Sequence, residues 1–328
     1  MKRRKGLLGW SSLVIACFLV TSLGAGWVLA AEDYPSKPIN VLIGVPPGGS
    51  TDMSLRVLTQ FMEAEIKQPM VVVNKPGAAG TIAGYQVTSA KPDGYTLGYF
   101  PGSGAFPEMY SYFYSAPYSS KDLRPIASVH VPAITIAVKE DAPWNSLKEL
   151  VEYAKKNPGM KFGHIGKSTI QYVAMAQINR QEDLKMVDVP FDGDATMVPA
   201  LLGGHVPVAT PVYPVIKSMV DAKKLKVLAI CLRQRAPSAP DIPTVPELGY
   251  KLAYVPFFAL YAPSKTPDSV IKKLEETVRK VVKDKEFLAK SKMIDMPVEH
   301  EDGAELAKYI SQYQENITAF FKSEGFAK

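Results

Sequence analysis

Residues 39–52 read INVLIGVPPGGSTD, and residues 70–81 read MVVVNKPGAAGT. In each stretch, an apolar run typical of a strand ends in Pro and Gly, and a segment compatible with a helix follows at once. In an open parallel sheet such turns lie side by side at the carboxyl ends of the strands, which is where ligands bind. The pair therefore predicts an α/β fold with a binding site between the two turns.

The chemistry of these turns favours an anion. The first N–H groups of a helix have no acceptor within the helix, and the helix dipole places positive charge beside them. Glycine allows the backbone itself to approach a ligand, and Ser50, Thr51 and Thr81 add hydroxyl donors. We expect a pocket for a carboxylate or another small anion, although one such turn alone also occurs in α/β proteins as a plain connection.

The amino-terminal segment has the pattern of an export signal. Residues 2–5 are all basic, residues 6–31 carry no charge, and the segment ends in Ala30 and Ala31. This pattern predicts a cleavable signal peptide over residues 1–31 and an exported mature protein. An uncleaved membrane anchor and a lipoprotein cleavage box at Cys17 remain the alternatives.

Charge and cysteine content exclude some classes of partner. The chain has a net charge of +6, and because residues 1–30 hold four basic and no acidic residues, the mature chain carries about +2. No basic run with interleaved aromatic residues follows, so no nucleic-acid partner is predicted. Beyond the signal, Cys231 is the only cysteine and lies in an apolar run, which predicts a buried structural thiol rather than a disulfide or a nucleophile.

Motifs for catalysis and cofactors do not match. Residues 163–168 read GHIGKS, but a phosphate-binding loop requires Gly at position 161, which is Lys. Residues 77–84 lack the dinucleotide-binding spacing, and the four histidines have no Cys or carboxylate at metal-ligand spacing. No nucleophile–base pair is visible. The sequence therefore predicts no catalytic residue, no metal and no cofactor.

Strand and helix patterns alternate through two units. Extended segments at 126–138 carry the chain into a second alternating unit, which ends in a strand at 226–232. The last three helices have no sheet of their own and are expected to return to the first unit. The chain then crosses between units near residues 128–135 and 252–258, which predicts a hinge and a cleft. We predict two lobes, each a mostly parallel sheet flanked by helices, with lobe 1 at residues 32–132 plus 255–328 and lobe 2 at 133–254.

Six stretches, taken in order, resemble the substrate-binding proteins of tripartite tricarboxylate transporters, the Bug or TctC family. They are PGGSTD at 47–52, NKPGAAG at 74–80, KPDGYTL at 91–97, ALLGGHV at 200–206, IPTVPELG at 242–249 and APSKTP at 262–267. The resemblance spans nearly the whole mature chain. It implies a two-lobed periplasmic binding protein of type II that closes over a small organic acid. The oligomeric state is left open, with a monomer as the default. The acid would be delivered to the large and small membrane subunits of a transporter, with no covalent chemistry.

The resemblance also implies a set of ligand-binding residues. On lobe 1 they are Pro47, Gly48, Gly49, Ser50, Asp52, Gly77, Ala78, Ala79 and Gly80, and on lobe 2 they are Ser168, Thr169, Phe191, Asp192 and Asp194. Asp52 also suits the first turn of a helix by its charge alone.

Three departures from the family pattern concern four positions. Phe191 stands where Tyr is common, and Val206-Pro207 replaces Val-Asp. Asp192 and Asp194 bring negative charge toward the lobe 2 end of the ligand, where they either recognise an amine or hydroxyl or cap the next helix. The ligand itself is not readable. An exported ligand sensor and an exported α/β enzyme acting on an acidic substrate remain alternative functions.

Overall fold

The computed structural model describes residues 34–101, 116–252 and 255–326. The predicted signal peptide and most of the aromatic stretch after residue 101 lie outside the described residues. The chain from Lys37 onward forms one compact unit that contains two five-stranded sheets. Within the described ranges, no helix is both long and apolar enough to cross a membrane.

The first sheet and its helices come from both ends of this unit. Its strands are β1 (Ile39–Ile43), β2 (Met70–Asn74), β3 (Thr96–Pro101), β4 (Leu123–His130) and β10 (Phe258–Pro263). Its helices are α1 (Ser50–Ile66), α2 (Thr81–Thr88), α7 (Asp268–Val281), α8 (Lys285–Met293) and α9 (Gly303–Ser323). Because α7 and α8 pack on α1, and α7 and α9 pack on β4, the terminal helices return to the first sheet as predicted.

The second sheet is built from the middle of the chain. Its strands are β5 (Thr135–Lys139), β6 (Lys161–His164), β7 (Val187–Pro190), β8 (Val208–Ala209) and β9 (Leu225–Ile230). The helices between them are α3 (Leu147–Lys156), α4 (Ile170–Gln181), α5 (Asp194–Leu202) and α6 (Tyr213–Asp221). The predicted alternation of strands and helices is confirmed through this region.

Both sheets are mostly parallel, with one reversed strand in each. The strand orders are β2-β1-β3-β10-β4 and β7-β6-β8-β5-β9. β10 runs antiparallel to β3 and β4, and β5 runs antiparallel to β8 and β9. In each sheet the reversed strand is the one that the chain enters directly after passing from the other sheet.

This strand direction places the binding edges of the two sheets opposite each other. β4 runs with β1 and β3, so the chain leaves the first sheet at the carboxyl edge of those strands. β5 runs against β6, β7 and β8, so the chain enters the second sheet at their carboxyl edge. The return from β9 to β10 joins the same two edges. The two crossings therefore form a hinge between the carboxyl edges, where ligands bind in such sheets.

Amphipathic helices cover the faces of each sheet. In α7 the buried residues Val270, Ile271, Leu274, Val278 and Val281 follow helical spacing and pack inward. α1 buries a similar stripe and ends at Lys67 in the left-handed conformation, with φ of 60°. The cores that result hold both turns of the first sheet at fixed positions.

The apolar pattern predicts strands at residues 206–209 and 254–262, and both are shorter in the structure. The first contains only Val208 and Ala209, because Pro207 has no N–H to donate. The second begins at Phe258, after Pro256. Residues 253 and 254 lie outside the described ranges.

Candidate functional site

The two Gly-rich turns of the first sheet pack directly against each other. A Cβ on Gly44 would lie 2.4 Å from the Cα of Gly80, so this approach requires glycine at residue 44. The Lys75 N–H donates to the Ile43 carbonyl at 2.8 Å, which joins the turns at their strand ends. Gly77 and Gly80 have φ of 125° and 91°, a region that other residues rarely adopt. The pair is one continuous backbone surface.

A buried carboxylate holds these turns from the inside. Asp52, which is 2% exposed, accepts hydrogen bonds from the Gly48 N–H at 2.9 Å and from Asn74 Nδ2 at 2.9 Å. Asn74 Nδ2 also donates to the Val45 carbonyl at 3.0 Å. Arg56, one helical turn after Asp52, donates from Nε and Nη2 at 2.9 and 3.0 Å. Asp52 therefore connects the first turn, the second strand and α1.

These donors also keep Asp52 ionised. Burial raises the pKa of its carboxyl group, but the hydrogen bonds from Arg56, Gly48 and Asn74 and the charge of Arg56 lower the pKa more strongly. The net result is a pKa below the ordinary value for Asp. Because the Gly48 N–H already donates to Asp52, that group points into the turn rather than outward.

Helices at the facing edges begin without side-chain caps. Gly49, Gly80, Thr169 and Gly193 are the N-cap residues of α1, α2, α4 and α5, and none of these four residues makes a side-chain capping bond. In α1 the first N–H bonded along the helix is that of Met53, which donates to the Gly49 carbonyl. The earlier N–H groups can therefore serve an anion. α7 and α9 also lack side-chain caps. The missing caps therefore do not by themselves identify a site; what distinguishes the starts of α1, α2, α4 and α5 is that they lie at the two facing edges.

On the second sheet, His164 fixes the loop that follows β6. Its ring is fully buried, and its Nδ1 accepts the Gly166 N–H at 2.9 Å. Nε2 lies 3.2 Å from Oδ2 of Asp188, to which it can donate in the matching tautomer. Burial lowers the pKa of His164, opposed only in part by Asp188, so the ring is neutral at pH 7. Thr169 Oγ1 closes the loop by donating to the Gly166 carbonyl at 2.6 Å.

The C-terminal end of α9 contacts this second region. Arg180 of α4 lies 3.5 Å from Glu324, and Lys167 Nζ lies 5.4 Å from the ring centroid of Phe326. Lys167 also pairs with Asp188 at 3.3 Å. α9 begins beside β4, where Asp302 bridges to Ala127. This helix and the residues just after it therefore contact both lobes, in addition to the two crossings.

Each predicted site residue lies at one of the two facing edges. Exposed positions are Pro47, Gly48, Gly49, Gly77, Ala78 and Asp192, partly exposed positions are Ser50, Gly80, Thr169, Phe191 and Asp194, and buried positions are Asp52 and Ser168. Ala79 lies in a short 3-10 helix over Ala78–Gly80. The structure brings the lobe 1 residues together in one turn pair and the lobe 2 residues together at the ends of β6 and β7.

The lobe 2 residues Phe191 and Asp194 have different surroundings. The Phe191 ring packs against Gly163 and the core around Met197 and Val206. Asp194 is the first residue of α5, and its carboxylate faces the backbone N–H of Val212, which lowers its pKa in part. Its Oδ1 is buried and has no hydrogen-bond partner in the described part of the chain.

Sequence reasoning missed the residues that support the site. Arg56, Asn74, His164 and Asp188 hold its turns, and none belongs to the predicted set. The i, i+4 spacing of Asp52 and Arg56 was a detectable signal for their ion pair. The contacts of Asn74 and His164 depend on which strands are neighbours, and no local pattern reports that.

Two lobes joined by two crossings, with helix starts that lack side-chain caps at the facing edges, define a solute-binding protein of the two-lobed type II class. Residues 54–325 match the family model described as tripartite tricarboxylate transporter family receptor, TctC. The chain belongs to this family.

Relatives by sequence and by structure agree with this assignment. Protein BugT of Bordetella pertussis is 30% identical over 277 residues, which cover 83% of this chain and 84% of BugT. The structure of the periplasmic binding protein BugD covers 90% of this chain and 100% of BugD, with 28% identity and a TM-score of 0.76. The structure of Rhodopseudomonas palustris Rpa4515 with adipate covers 89% of this chain and 99% of that protein, with 22% identity and a TM-score of 0.79. At that identity it supports the fold alone.

Proposed function

We propose that this protein captures a small organic acid between its lobes and delivers it to the membrane subunits of a tripartite tricarboxylate transporter. The observation that carries the proposal is the paired turn of the first sheet, where backbone contact and Asp52 hold two uncapped helix starts together. One ligand carboxylate would bind there. Ser168, Thr169 and the turn at 191–194 would close on the other end of the ligand.

The remaining parts of the proposal follow from this role. The matched family and BugD are receptors and binding proteins rather than enzymes, which supports binding without turnover. We propose lobe limits of 32–132 plus 255–328 and of 133–254, in line with the membership of the two sheets. A monomer located in the periplasm, exported by a signal peptide at residues 1–31, completes the proposal.

A thermal-shift screen with matched probes tests this function. Each carboxylic acid is paired with its primary amide, because the amide keeps the shape of the acid but loses its charge. A ligand at 100 times its Kd adds about 2.7 kcal/mol to the free energy of unfolding, so binding is easily seen. We expect at least one acid to raise the melting temperature while its amide does not.

Three results would contradict the proposal. They are stabilisation by amides or sugars alone, stabilisation by no acid at all, and consumption of the acid that binds. The last result would favour the enzyme alternative.

A further inference from the structure

The carboxylate of Asp194 spans the ends of three parallel strands. Asp194 begins α5 just beyond the end of β7, and Val212, whose N–H its carboxylate faces, follows β8 and directly precedes α6. β6 lies between β7 and β8 in the sheet. The side chain therefore bridges across the carboxyl end of β6, beside the loop that carries Ser168 and Thr169. In a sheet of this kind, ligands bind at that position.

One oxygen of this carboxylate is left unused. Oδ1 is buried without a hydrogen-bond partner in the described ranges, although the residue as a whole stays partly exposed. A buried carboxylate oxygen without a donor costs free energy that an apolar residue at the same position would not cost. The Val212 N–H can engage only one oxygen of this carboxylate at full strength. That contact therefore leaves the buried, unpartnered Oδ1 unexplained.

We propose that Oδ1 of Asp194 binds the ammonium group of the ligand, so that this receptor takes an amino-carboxylate rather than a simple dicarboxylate. This inference rests on the proposed function, because the turns of the first sheet would hold the carboxylate of the same ligand. The two ends of the cleft then have opposite preferences. N–H groups and helix dipoles on the first lobe favour a negative group, and acidic side chains on the second lobe favour a positive one.

The charges near Asp194 favour ammonium over a second carboxylate. Asp192, two residues earlier, is exposed and adds negative charge at the same edge. Lys167, the basic residue of the loop after β6, already pairs with Asp188. Burial raises the pKa of Asp194 to about 6, so the group is ionised at neutral pH, and no basic residue of the described ranges forms an ion pair with it. A ligand ammonium would supply the missing charge and the missing donor together.

The test uses acids that differ in one terminal group. The four-carbon set consists of butyrate, 4-hydroxybutyrate, 4-aminobutyrate and succinate. Equivalent sets are made from acids with three, five and six carbons. Every set also includes the 2-amino acid of the same length. Binding to the purified protein is measured by calorimetry at pH 7.5. Asp194→Asn keeps an acceptor for the Val212 N–H but removes the charge. Asp183→Asn changes an exposed acid of the same lobe whose carboxylate pairs with Lys185.

We expect an amino acid to bind at least tenfold more tightly than the matched acid without nitrogen. Asp194→Asn should reduce the affinity for the amino acid by about tenfold to a hundredfold, in the range of a hydrogen bond to a charged group. The same variant should weaken the matched unsubstituted acid by a clearly smaller factor, and its circular dichroism spectrum shows that the variant is folded. Asp183→Asn should change neither affinity, and Asp192→Asn should have a smaller effect than Asp194→Asn.

Two kinds of failure can be separated. If succinate or another dicarboxylate binds most tightly, or if Asp194→Asn leaves the amino acid unchanged, the ammonium site is wrong and the carboxylate receptor stands. If no acid in any set binds, the proposed function fails and this inference fails with it.

Discussion

Asp52 is the residue on which the first turn depends. Its two oxygens accept four hydrogen bonds, from Gly48, Asn74 and Arg56. The three donor residues lie on three different elements: the first turn, α1 and β2. Loss of the carboxylate should therefore loosen the turn as well as α1. The sequence stretch suggested a ligand contact here, and the structure adds the internal bonds.

We expect Asp52→Asn to lower the free energy of unfolding by about 1–3 kcal/mol, because a buried network then loses its charged acceptor. Arg56→Met is the matched control. Arg56 is half exposed, so its removal should cost under about 1 kcal/mol. Urea denaturation at pH 7 measures both. Equal losses in the two variants would show that the ion pair, rather than the turn contacts, accounts for the effect.

His130 makes the protein sensitive to acid. It lies fully buried at the end of β4, with Nδ1 2.7 Å from Ser54 Oγ and Nε2 2.9 Å from Ser291 Oγ. Burial lowers its pKa from 6.5 to about 3. The unfolded chain therefore binds a proton between these values while the folded chain does not, so stability falls as the pH drops from 6.5 toward 3.

This group contributes at most about 1.4 kcal/mol per pH unit to that fall. His130→Gln cannot titrate, and we expect its unfolding free energy to depend less steeply on pH across the same window. Chemical denaturation at several pH values between 4 and 7 gives both slopes. Identical slopes would mean that His130 is protonated in the folded protein.

Asp194 has the opposite linkage to pH. Its folded pKa of about 6 is above the ordinary value of 3.8, so the folded state binds the extra proton and stability falls as the pH rises through this range. Asp194→Asn should therefore be more stable than the wild type at pH 7, by roughly 1–3 kcal/mol, with the difference vanishing below pH 3.8. A gain in stability together with a loss of amino acid binding is the pattern expected of a functional residue. A loss of stability at pH 7 would instead indicate a structural cap.

At the scale of elements, the contact between the two Gly-rich turns can be tested directly. Gly44→Ala places a Cβ 2.4 Å from the Cα of Gly80, and this contact involves backbone rather than a flexible side chain. The turns must move apart. We expect a loss of about 1–3 kcal/mol in stability and at least tenfold in affinity for the acid that binds.

Gly49→Ala is the control for stability. Its Cβ would meet only the Pro46 carbonyl, at 4.0 Å, and its φ of −78° suits alanine. Its unfolding free energy should stay within about 0.5 kcal/mol of the wild type. Circular dichroism melts and calorimetry of both variants make the comparison. Normal affinity in Gly44→Ala would show that ligand binding does not need the turns in contact.

At the scale of the whole molecule, α9 restrains the two lobes. The helix starts beside β4, and the residues at and after its C-terminal end contact Arg180 and Lys167 of the second region. When the hinge moves, the two crossings must bend. The contacts at the end of α9 must then either break or move together with the second lobe.

Deleting residues 324–328 removes the contacts with Arg180 and Lys167 that hold the lobes in the present arrangement. More open arrangements should then be more populated, and the radius of gyration of the ligand-free protein in small-angle X-ray scattering should rise. Deleting only residues 327–328 keeps Glu324 and Phe326 and serves as the control. The two truncated proteins should have the same circular dichroism spectrum. An unchanged radius of gyration in the longer deletion would show that α9 does not restrain the hinge.

Local sequence determined much of this protein. The apolar runs before PPGG and NKPG form β1 and β2, and the amphipathic patterns of spacing form α1 and α7. The two passages of the chain between the units form the hinge. Proline at 207 and 256 explains both shortened strands. These features depend on residues close in the chain, so their patterns are readable without coordinates.

The tertiary structure alone decided how the site is held. Gly44 meets Gly80, Asn74 reaches Asp52, and Asp194 reaches Val212 because strand order makes neighbours of distant segments. The same holds for the contact of Phe326 with Lys167. Hydrogen bonds and close backbone approaches depend on distances of a few tenths of an ångström between segments that are remote in sequence, and a pattern of residue types does not contain those distances.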